Sequence, residues 1–117
     1  MTEHDPLVPL RHMLDHAREA LEYSKGATRQ GLIADRIRHL ALVHLVVVVG
    51  EAASRLSPVE QARYPEIPWR NVVGTRNRLI HGYDNVNEEA LWEILTHDLP
   101  DLVAKLERSL GEAHREG

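Results

Sequence analysis

The stretch "LALVHLVVVV", Leu40–Val49, is the longest apolar run of the chain, and the rest of the fold has to be arranged around it. It is too short to cross a bilayer, which takes about 20 apolar residues, and it carries His44 in its middle. Its valines also suit a β-strand, but helix-forming flanks and the lack of turn residues favour a helix. The run therefore predicts the buried part of a helix.

The helix around this run is expected to extend from about Gln30 to Leu56. Apolar side chains and one histidine recur on it at intervals of three and four residues, in a stripe formed by Ile33, Ile37, Leu40, His44 and Val47. The central part is apolar on every side, so a single neighbouring helix cannot cover it. Two explanations remain open: a central position in a bundle, or burial against a second subunit.

An amphipathic helix is predicted before this central one. Asp5 and Pro6 form a typical helix start, with a capping carboxylate followed by a proline at the first helical position. The helix is expected to end near Gly26. Its apolar stripe consists of Leu7, Leu10, Leu14, Ala17 and Leu21.

The segment after the central helix, "SPVEQARYPEIPW", contains three prolines. It predicts about one helical turn from Pro58 and then an extended connector. A short helix is expected from Trp69 to Ile80, with Gly82 as its C-terminal cap.

The last helix is predicted to begin at Asn87, a good capping residue followed by two glutamates. Pro100 is expected to kink this helix without ending it, because the apolar stripe keeps its phase through Leu91, Leu95, Leu102, Leu106 and Leu110. Residues 1–117 are therefore predicted to form a single domain, an all-α bundle of four to five helices.

Composition limits the chemistry of the chain. None of its 117 residues is a cysteine, which excludes disulfides, thiolate metal sites and cysteine nucleophiles, and suggests a reducing compartment such as the cytoplasm. The N-terminal "MTEHDPLVPLRHM" lacks the basic and then apolar pattern of a secretory signal. We therefore expect a cytoplasmic protein that is not bound to a membrane.

The net charge of −4 argues against a nucleic-acid partner, but the charge is unevenly distributed. The segment from Trp69 to Tyr83 holds three arginines, one histidine and no acidic residue. Since this segment contributes +3 to the total of −4, the rest of the chain carries −7. A small positive site on an acidic body is therefore predicted.

Within that segment, "GTRNRLIHGYD" concentrates polar side chains of complementary chemistry: Arg76, Asn77, Arg78, His81 and Tyr83. On a continuous helix, Asn77 and Arg78 would share a face with His81, while Arg76 would lie about 140° away. An imidazole can move protons, a guanidinium can stabilise charge developing on phosphorus, and a phenol can stack or donate a hydrogen bond. This combination suits phosphodiester chemistry without a metal ion.

Eight histidines in a short chain could instead indicate a metal site in the bundle. Such bundles use a glutamate followed by a histidine three positions later, and no glutamate of this chain has that spacing. The HExxH pattern is missing as well. The sequence therefore predicts neither a catalytic metal nor a cofactor.

Arg76, His81 and Tyr83 fit the pattern R-x4-H-x-Y, and the surrounding "IPWRNVVGTRNRLIHGYD" closely resembles the HepT toxins of the HEPN superfamily. The sequence "GEAA" at 50–53 adds weaker support, and the helix order and length are similar over the whole chain. The resemblance implies a helical homodimer that cleaves RNA without a metal ion, as the endoribonuclease toxin of a type VII HepT/MntA toxin–antitoxin system.

The resemblance also implies roles for individual residues. Arg76 and His81 would be the catalytic pair, and Asn77 the polar residue that often follows the arginine. Tyr83 would be the residue to which a cognate MntA-like nucleotidyltransferase, the antitoxin, adds AMP. Arg78 is either a supporting RNA contact or a solvated surface arginine.

Other interpretations stay open beside these. The cluster could serve only as a docking and modification site, in which case the protein is a non-catalytic interaction module for a nucleotidyltransferase partner. Trp69 and Trp92 are expected to anchor the core and not to stack on bases. His44, Glu51 and Arg55 predict either a polar seam across a dimer interface or an interior histidine beside a capping carboxylate.

Overall fold

The computed structural model describes residues 4–82 and 85–116, with side chains as far as residue 111. The predicted all-α bundle is confirmed, with a small hairpin inserted before the last helices. The elements in chain order are α1 (Leu7–Ser24), α2 (Arg29–Ala34), α3 (Arg36–Ser54), α4 (Pro58–Ala62), α5 (Trp69–Val73), α6 (Thr75–Leu79), β1 (Ile80–His81), β2 (Asn85–Val86), α7 (Glu88–Glu93), a π-helical turn (Ile94–Asp98) and α8 (Leu99–Glu116).

Helix α3 is the centre of the bundle. Helices α1, α2, α5 and α6 pack against it, and α8 packs along α1. Its inward side chains are buried and belong to one core with α1 and α8. The buried residues of α3 are Leu42, Leu45, Val46, Val49, Gly50, Ala52 and Ala53.

The opposite side of the central region is not covered by this chain, and most of the predicted stripe lies on that side. Ile33, Ile37 and Leu40 are 48%, 83% and 49% exposed, and His44 is exposed as well. Because this region is apolar all round, hydrophobic periodicity did not determine which side would face the core. The bundle therefore buries the apolar side chains on one side of α3, and those on the other side form an exposed apolar surface.

The predicted helix from Gln30 to Leu56 is divided at Asp35. This residue is extended, with φ −93° and ψ 90°, and its carboxylate accepts a hydrogen bond from the N–H of Arg38 at 3.2 Å. A short aspartate side chain that bonds the next turn favours a new helix start over a helix interior. The break separates α2 from α3.

By length and composition alone, α3 could cross a membrane, since it has 19 residues and a mean hydropathy of 1.5. In the folded chain 44% of that apolar stretch is buried inside the protein. Core helices of soluble proteins have the same properties.

Helix α1 follows its prediction closely. Its apolar stripe faces the core, and Met13 and Ala20 are buried beside it. The carboxylate of Asp5 accepts a hydrogen bond from the N–H of Leu7 at 2.9 Å, and Gly26 adopts the left-handed conformation with φ +73° just after the helix. Both ends therefore lie close to the predicted positions.

The last helical run also begins as predicted, because the side chain of Asn87 accepts a hydrogen bond from the N–H of Ala90 at 3.0 Å. The run continues through Pro100, and the turn before it widens to a π-helix. A proline has no N–H to donate and its ring crowds the carbonyl four residues earlier. The π-helical hydrogen bonds of Ile94–Asp98 therefore lie in the turn where Pro100 is expected to disturb the α-helix.

Candidate active site

The predicted cluster lies where α6 ends and the chain enters the hairpin. Ile80 is extended, with φ −108° and ψ 118°. Strand β1 pairs antiparallel with β2, so that Ile80 lies opposite Val86 and His81 opposite Asn85. The prediction that His81 shares a helical face with Asn77 is therefore wrong. The half-buried Ile80 and Val86 pack against the core, which favours strand pairing at this point.

Gly82 does not cap the helix. The C-terminal cap is Ile80, whose N–H donates to the carbonyl of Arg76. Gly82 has φ +71°, a left-handed conformation that glycine adopts without the steric cost of a side chain. It turns the chain immediately after His81.

Helices α5 and α6 replace the single predicted helix from Trp69 to Ile80, and their junction lies directly on α3. A Cβ atom added to Gly50 would be 3.0 Å from the carbonyl oxygen of Val72 and 3.4 Å from Cβ of Thr75. A Cβ atom at this distance would crowd the neighbouring backbone, so glycine favours this close approach. The contact explains the glycine of "GEAA" and brings the next residue, Glu51, beside α6.

Arg76 faces this residue of α3. Its Nη1 atom lies 3.5 Å from Oε1 of Glu51, and the two side chains are 64% and 56% exposed. An exposed pair at this distance is worth about 0–1 kcal/mol. The guanidinium is therefore held near the acid but remains accessible to an incoming phosphate.

His81 is exposed on the other side of the α6–β1 boundary. Its Nε2 atom lies 3.4 Å from the side-chain nitrogen of Asn87, the residue that caps α7. The backbone N–H of Asn87 donates to the carbonyl of Leu79 at 2.7 Å, which adds a hydrogen bond next to the pair of Ile80 and Val86. The sequence indicates Asn87 only as a helix cap, because its contact with His81 depends on a hairpin that no pattern in the sequence predicts.

Arg78 has a position that neither sequence interpretation described. Its Nη1 atom lies 2.9 Å from Oδ2 of Asp98, and the same group donates to the side-chain oxygen of Asn71. The side chains of Arg78 and Asp98 are about one third exposed. Arg78 thus ties α6 to the π-helical turn, and a contact with RNA stays a prediction.

The remaining predicted site residues are placed less fully. Asn77 is exposed on α6 between the two arginines. Tyr83 lies outside the described residues. Among the residues that the structure does describe, no three histidine, aspartate or glutamate side chains converge as ligands for a metal ion.

Of the other polar and aromatic candidates, the polar ones are exposed and the two tryptophans are partly buried. His44 is exposed, so its interpretation as an interior histidine is wrong, and Glu51 faces Arg76. Trp69 and Trp92 are partly buried against the core, and the indole N–H of Trp69 donates to the carbonyl of Tyr64 at 3.0 Å. Their prediction as core anchors is confirmed.

Comparison with known proteins places the chain in a family. Residues 13–109 match the family model described as "Ribonuclease HepT-like", a range that contains the whole Arg76–His81 region and all helices except the start of α1 and the end of α8. The chain belongs to the HepT-like ribonuclease family. The resemblance drawn from the motif is therefore confirmed at the level of the family.

Several curated proteins are similar to this chain over most of its length. A Thermococcus cleftensis protein named "Probable ribonuclease HepT" is 30% identical over 99 residues, which are 81% of this chain and 90% of that one. "Putative RNase MJ1380" of Methanocaldococcus jannaschii is 27% identical over 92% of this chain and 98% of its own. "Putative RNase TTE0752" of Caldanaerobacter subterraneus is 28% identical over 86% and 90%. No solved structure matches the chain.

Proposed function

We infer that this chain is the toxin of a type VII HepT/MntA toxin–antitoxin pair, a metal-independent endoribonuclease. The observation that carries the proposal is the exposure of Arg76 and His81 on either side of one helix end. Among the described residues, each side chain makes only one long polar contact, Arg76 with Glu51 and His81 with Asn87. Membership of a ribonuclease family supplies the reaction class. The exposed guanidinium and imidazole match what that reaction needs.

The proposed reaction begins at the ribose 2′-hydroxyl of the RNA. His81 takes the hydroxyl proton as the 2′-oxygen attacks phosphorus, and Arg76 stabilises the negative charge on the phosphoryl oxygens. The bond to the 5′-oxygen breaks and that oxygen receives a proton. The products are a 2′,3′-cyclic phosphate and a 5′-hydroxyl end, so the reaction consumes no water and requires no metal.

A homodimer would supply the missing general acid, because the proton for the 5′-oxygen could come from His81 of a second copy. The uncovered apolar surface of α2 and α3, formed by Ile33, Ile37 and Leu40, supports association. Apolar patches of this kind on a soluble protein mark interaction sites. We assign this surface to a second copy of the chain.

The antitoxin in this proposal is an MntA-like nucleotidyltransferase that modifies Tyr83. The phenol oxygen of Tyr83 would attack the α-phosphorus of ATP, with pyrophosphate leaving and the phenol proton passing to a base of the partner. Tyr83 is two residues from His81 in the chain, so an added AMP would bring a phosphodiester close to Arg76 and His81. In the modified toxin, the phosphate of the attached AMP would occupy the position that an RNA phosphate would otherwise take.

A non-catalytic docking module is the second candidate, and the position of Glu51 favours it. A carboxylate 3.5 Å from Arg76 competes with phosphate for the guanidinium. In such a module the cluster would serve only for recognition and modification by the partner.

End-group analysis of RNA incubated with the purified chain in EDTA distinguishes the two candidates. A nuclease of the proposed kind yields 2′,3′-cyclic phosphate ends, and His81→Ala should lower the rate by about 10²–10⁴-fold. His97→Ala is a matched control, since His97 is another exposed histidine, placed on the π-helical turn. RNA that stays intact with the folded wild-type chain both with and without EDTA would support the docking module, and cleavage that occurs only without EDTA would contradict the metal-independent reaction.

A further inference from the structure

Asn87 has two contacts that together fix the orientation of its amide group. Its side-chain oxygen accepts the N–H of Ala90 at 3.0 Å, and its side-chain nitrogen lies 3.4 Å from Nε2 of His81. An exchange of the two amide atoms would place an NH₂ group against the N–H of Ala90, donor against donor. The helix cap therefore leaves the amide N–H directed at His81.

An imidazole nitrogen can accept a hydrogen bond only if it carries a lone pair. The contact with Asn87 thus requires Nε2 of His81 to be unprotonated, and the proton of the neutral ring is then on Nδ1. The backbone N–H of Asn87 bonds the carbonyl of Leu79 at 2.7 Å, so the donor is fixed to the same hairpin as the ring.

We propose that Asn87 is a positioning residue that holds neutral His81 in the tautomer with Nδ1 protonated, so that Nε2 is the atom that accepts the proton. This inference rests on the proposed nuclease function. The 3.4 Å contact is long for a hydrogen bond, so a 2′-hydroxyl can replace the amide at Nε2 at little cost. After the transfer, both ring nitrogens carry protons and the amide no longer has an acceptor there.

Two substitutions separate this role from that of a helix cap. Asn87→Asp and Asn87→Ser both keep a side-chain oxygen that caps helices well, so the melting temperature should stay close to that of the wild type. Asn87→Asp presents an acceptor to His81 and favours a proton on Nε2, whereas Asn87→Ser removes the amide donor. Both changes should shift the neutral ring toward the form protonated on Nε2.

The tautomer can be read without RNA from the ¹⁵N shifts of His81 in labelled protein at alkaline pH. The wild type should have an unprotonated Nε2 and a protonated Nδ1, Asn87→Asp the reverse, and His12 should be the same in all three proteins. A wild-type ring protonated on Nε2 would overturn the proposal, whatever the outcome with RNA.

Cleavage kinetics supply the second readout. We expect Asn87→Asp to lower kcat by about 10- to 100-fold with KM nearly unchanged, because a ring protonated on Nε2 cannot accept the 2′-hydroxyl proton at that atom; outer partners that orient a histidine have effects of this size. An Asn87→Asp protein that folds and cleaves at the wild-type rate would overturn the proposal. Absence of cleavage by the wild type would contradict the nuclease function itself, and the ¹⁵N shifts would still decide whether Asn87 fixes the ring.

Discussion

Nη1 of Arg76 lies 3.5 Å from Oε1 of Glu51, so a carboxylate stands beside the guanidinium that would receive an RNA phosphate. The two residues come from α6 and α3, and they meet because the α5–α6 junction rests on Gly50. The pair is exposed, so its energy is small compared with that of a bidentate arginine–phosphate contact.

Removal of this carboxylate should strengthen RNA binding. Glu51→Gln keeps the size of the side chain but removes the charge that competes with phosphate, and since an exposed pair is worth about 0–1 kcal/mol, the gain should be at most about fivefold in Kd. Fluorescence anisotropy with RNA carrying 2′-O-methyl groups measures binding without cleavage. Glu19→Gln on α1 is the control for the general change in charge. Weaker binding by Glu51→Gln would mean that the carboxylate orients Arg76 and does not compete.

Arg76→Lys should lose most of the cleavage activity although it keeps the positive charge. An ammonium lacks the planar pair of N–H donors with which a guanidinium can bond two phosphoryl oxygens at once. Loss of one donor that stabilises a transition state costs about 10²–10³-fold in kcat. Single-turnover rates with a labelled RNA measure the effect. Arg63→Lys, at an exposed arginine next to α4, should cleave normally. A fully active Arg76→Lys protein would reduce Arg76 to a simple electrostatic contact.

Ile37→Glu should turn a dimer into a monomer. Ile37 is 83% exposed in the single chain, so a charge costs little there, but it would have to be desolvated in an apolar interface. Light scattering should give twice 13.3 kDa for the wild type and 13.3 kDa for the variant. Val59→Glu, on α4 and 69% exposed, should leave the dimer intact. A monomeric wild type would remove the second His81 from the proposed mechanism.

Gly50→Ala should destabilise the fold. The new methyl group would lie 3.0 Å from the carbonyl oxygen of Val72, and a backbone atom cannot move away as easily as the end of a flexible side chain. We expect a loss of about 1–3 kcal/mol, or about 4 °C in Tm for each kcal/mol. Gly111→Ala is the matched control, because no atom lies within 4 Å of its added Cβ in α8, and it should raise Tm slightly. Equal effects of the two substitutions would contradict the close contact.

Coexpression with the cognate nucleotidyltransferase should add whole AMP units to Tyr83. Intact-mass and peptide mass spectrometry measure the number and the position of these additions. Tyr83→Phe should abolish the mass shift and yield a toxin that the partner no longer neutralises by modification. Tyr23 and Tyr64 are internal controls that should stay unmodified. Neutralisation that persists with Tyr83→Phe would favour inhibition by binding alone.

The parts of the fold that could be predicted have local causes. The stripe of α1, the cap at Asn87 and the short helix after Ser57 depend on neighbours within four residues, which the sequence displays directly. The side of α3 that faces the core is different, because side chains such as Ile37 and Val46 are equally apolar. Only the packing of α1, α5 and α6 determines which of them is buried.

The same distinction applies to the candidate site. Arg76 and His81 were found from their spacing in the chain, but their polar neighbours Glu51 and Asn87 were not. The first is brought in by the close contact at Gly50 and the second by the hairpin, and the individual residues of either segment do not indicate such a contact. A short strand pair within a helical protein has no periodic pattern long enough to reveal it.

The hairpin also bears on how the protein would lose activity on warming. Strands β1 and β2 have two residues each, whereas the core around α3 is held by many buried side chains. Short exposed segments open locally at a lower free energy than the whole domain, so amide protons around His81 should exchange with solvent long before those of α3. Heat or mild denaturant would then displace His81 from its place beside Asn87 while most helices are still intact, and inactivation would precede unfolding.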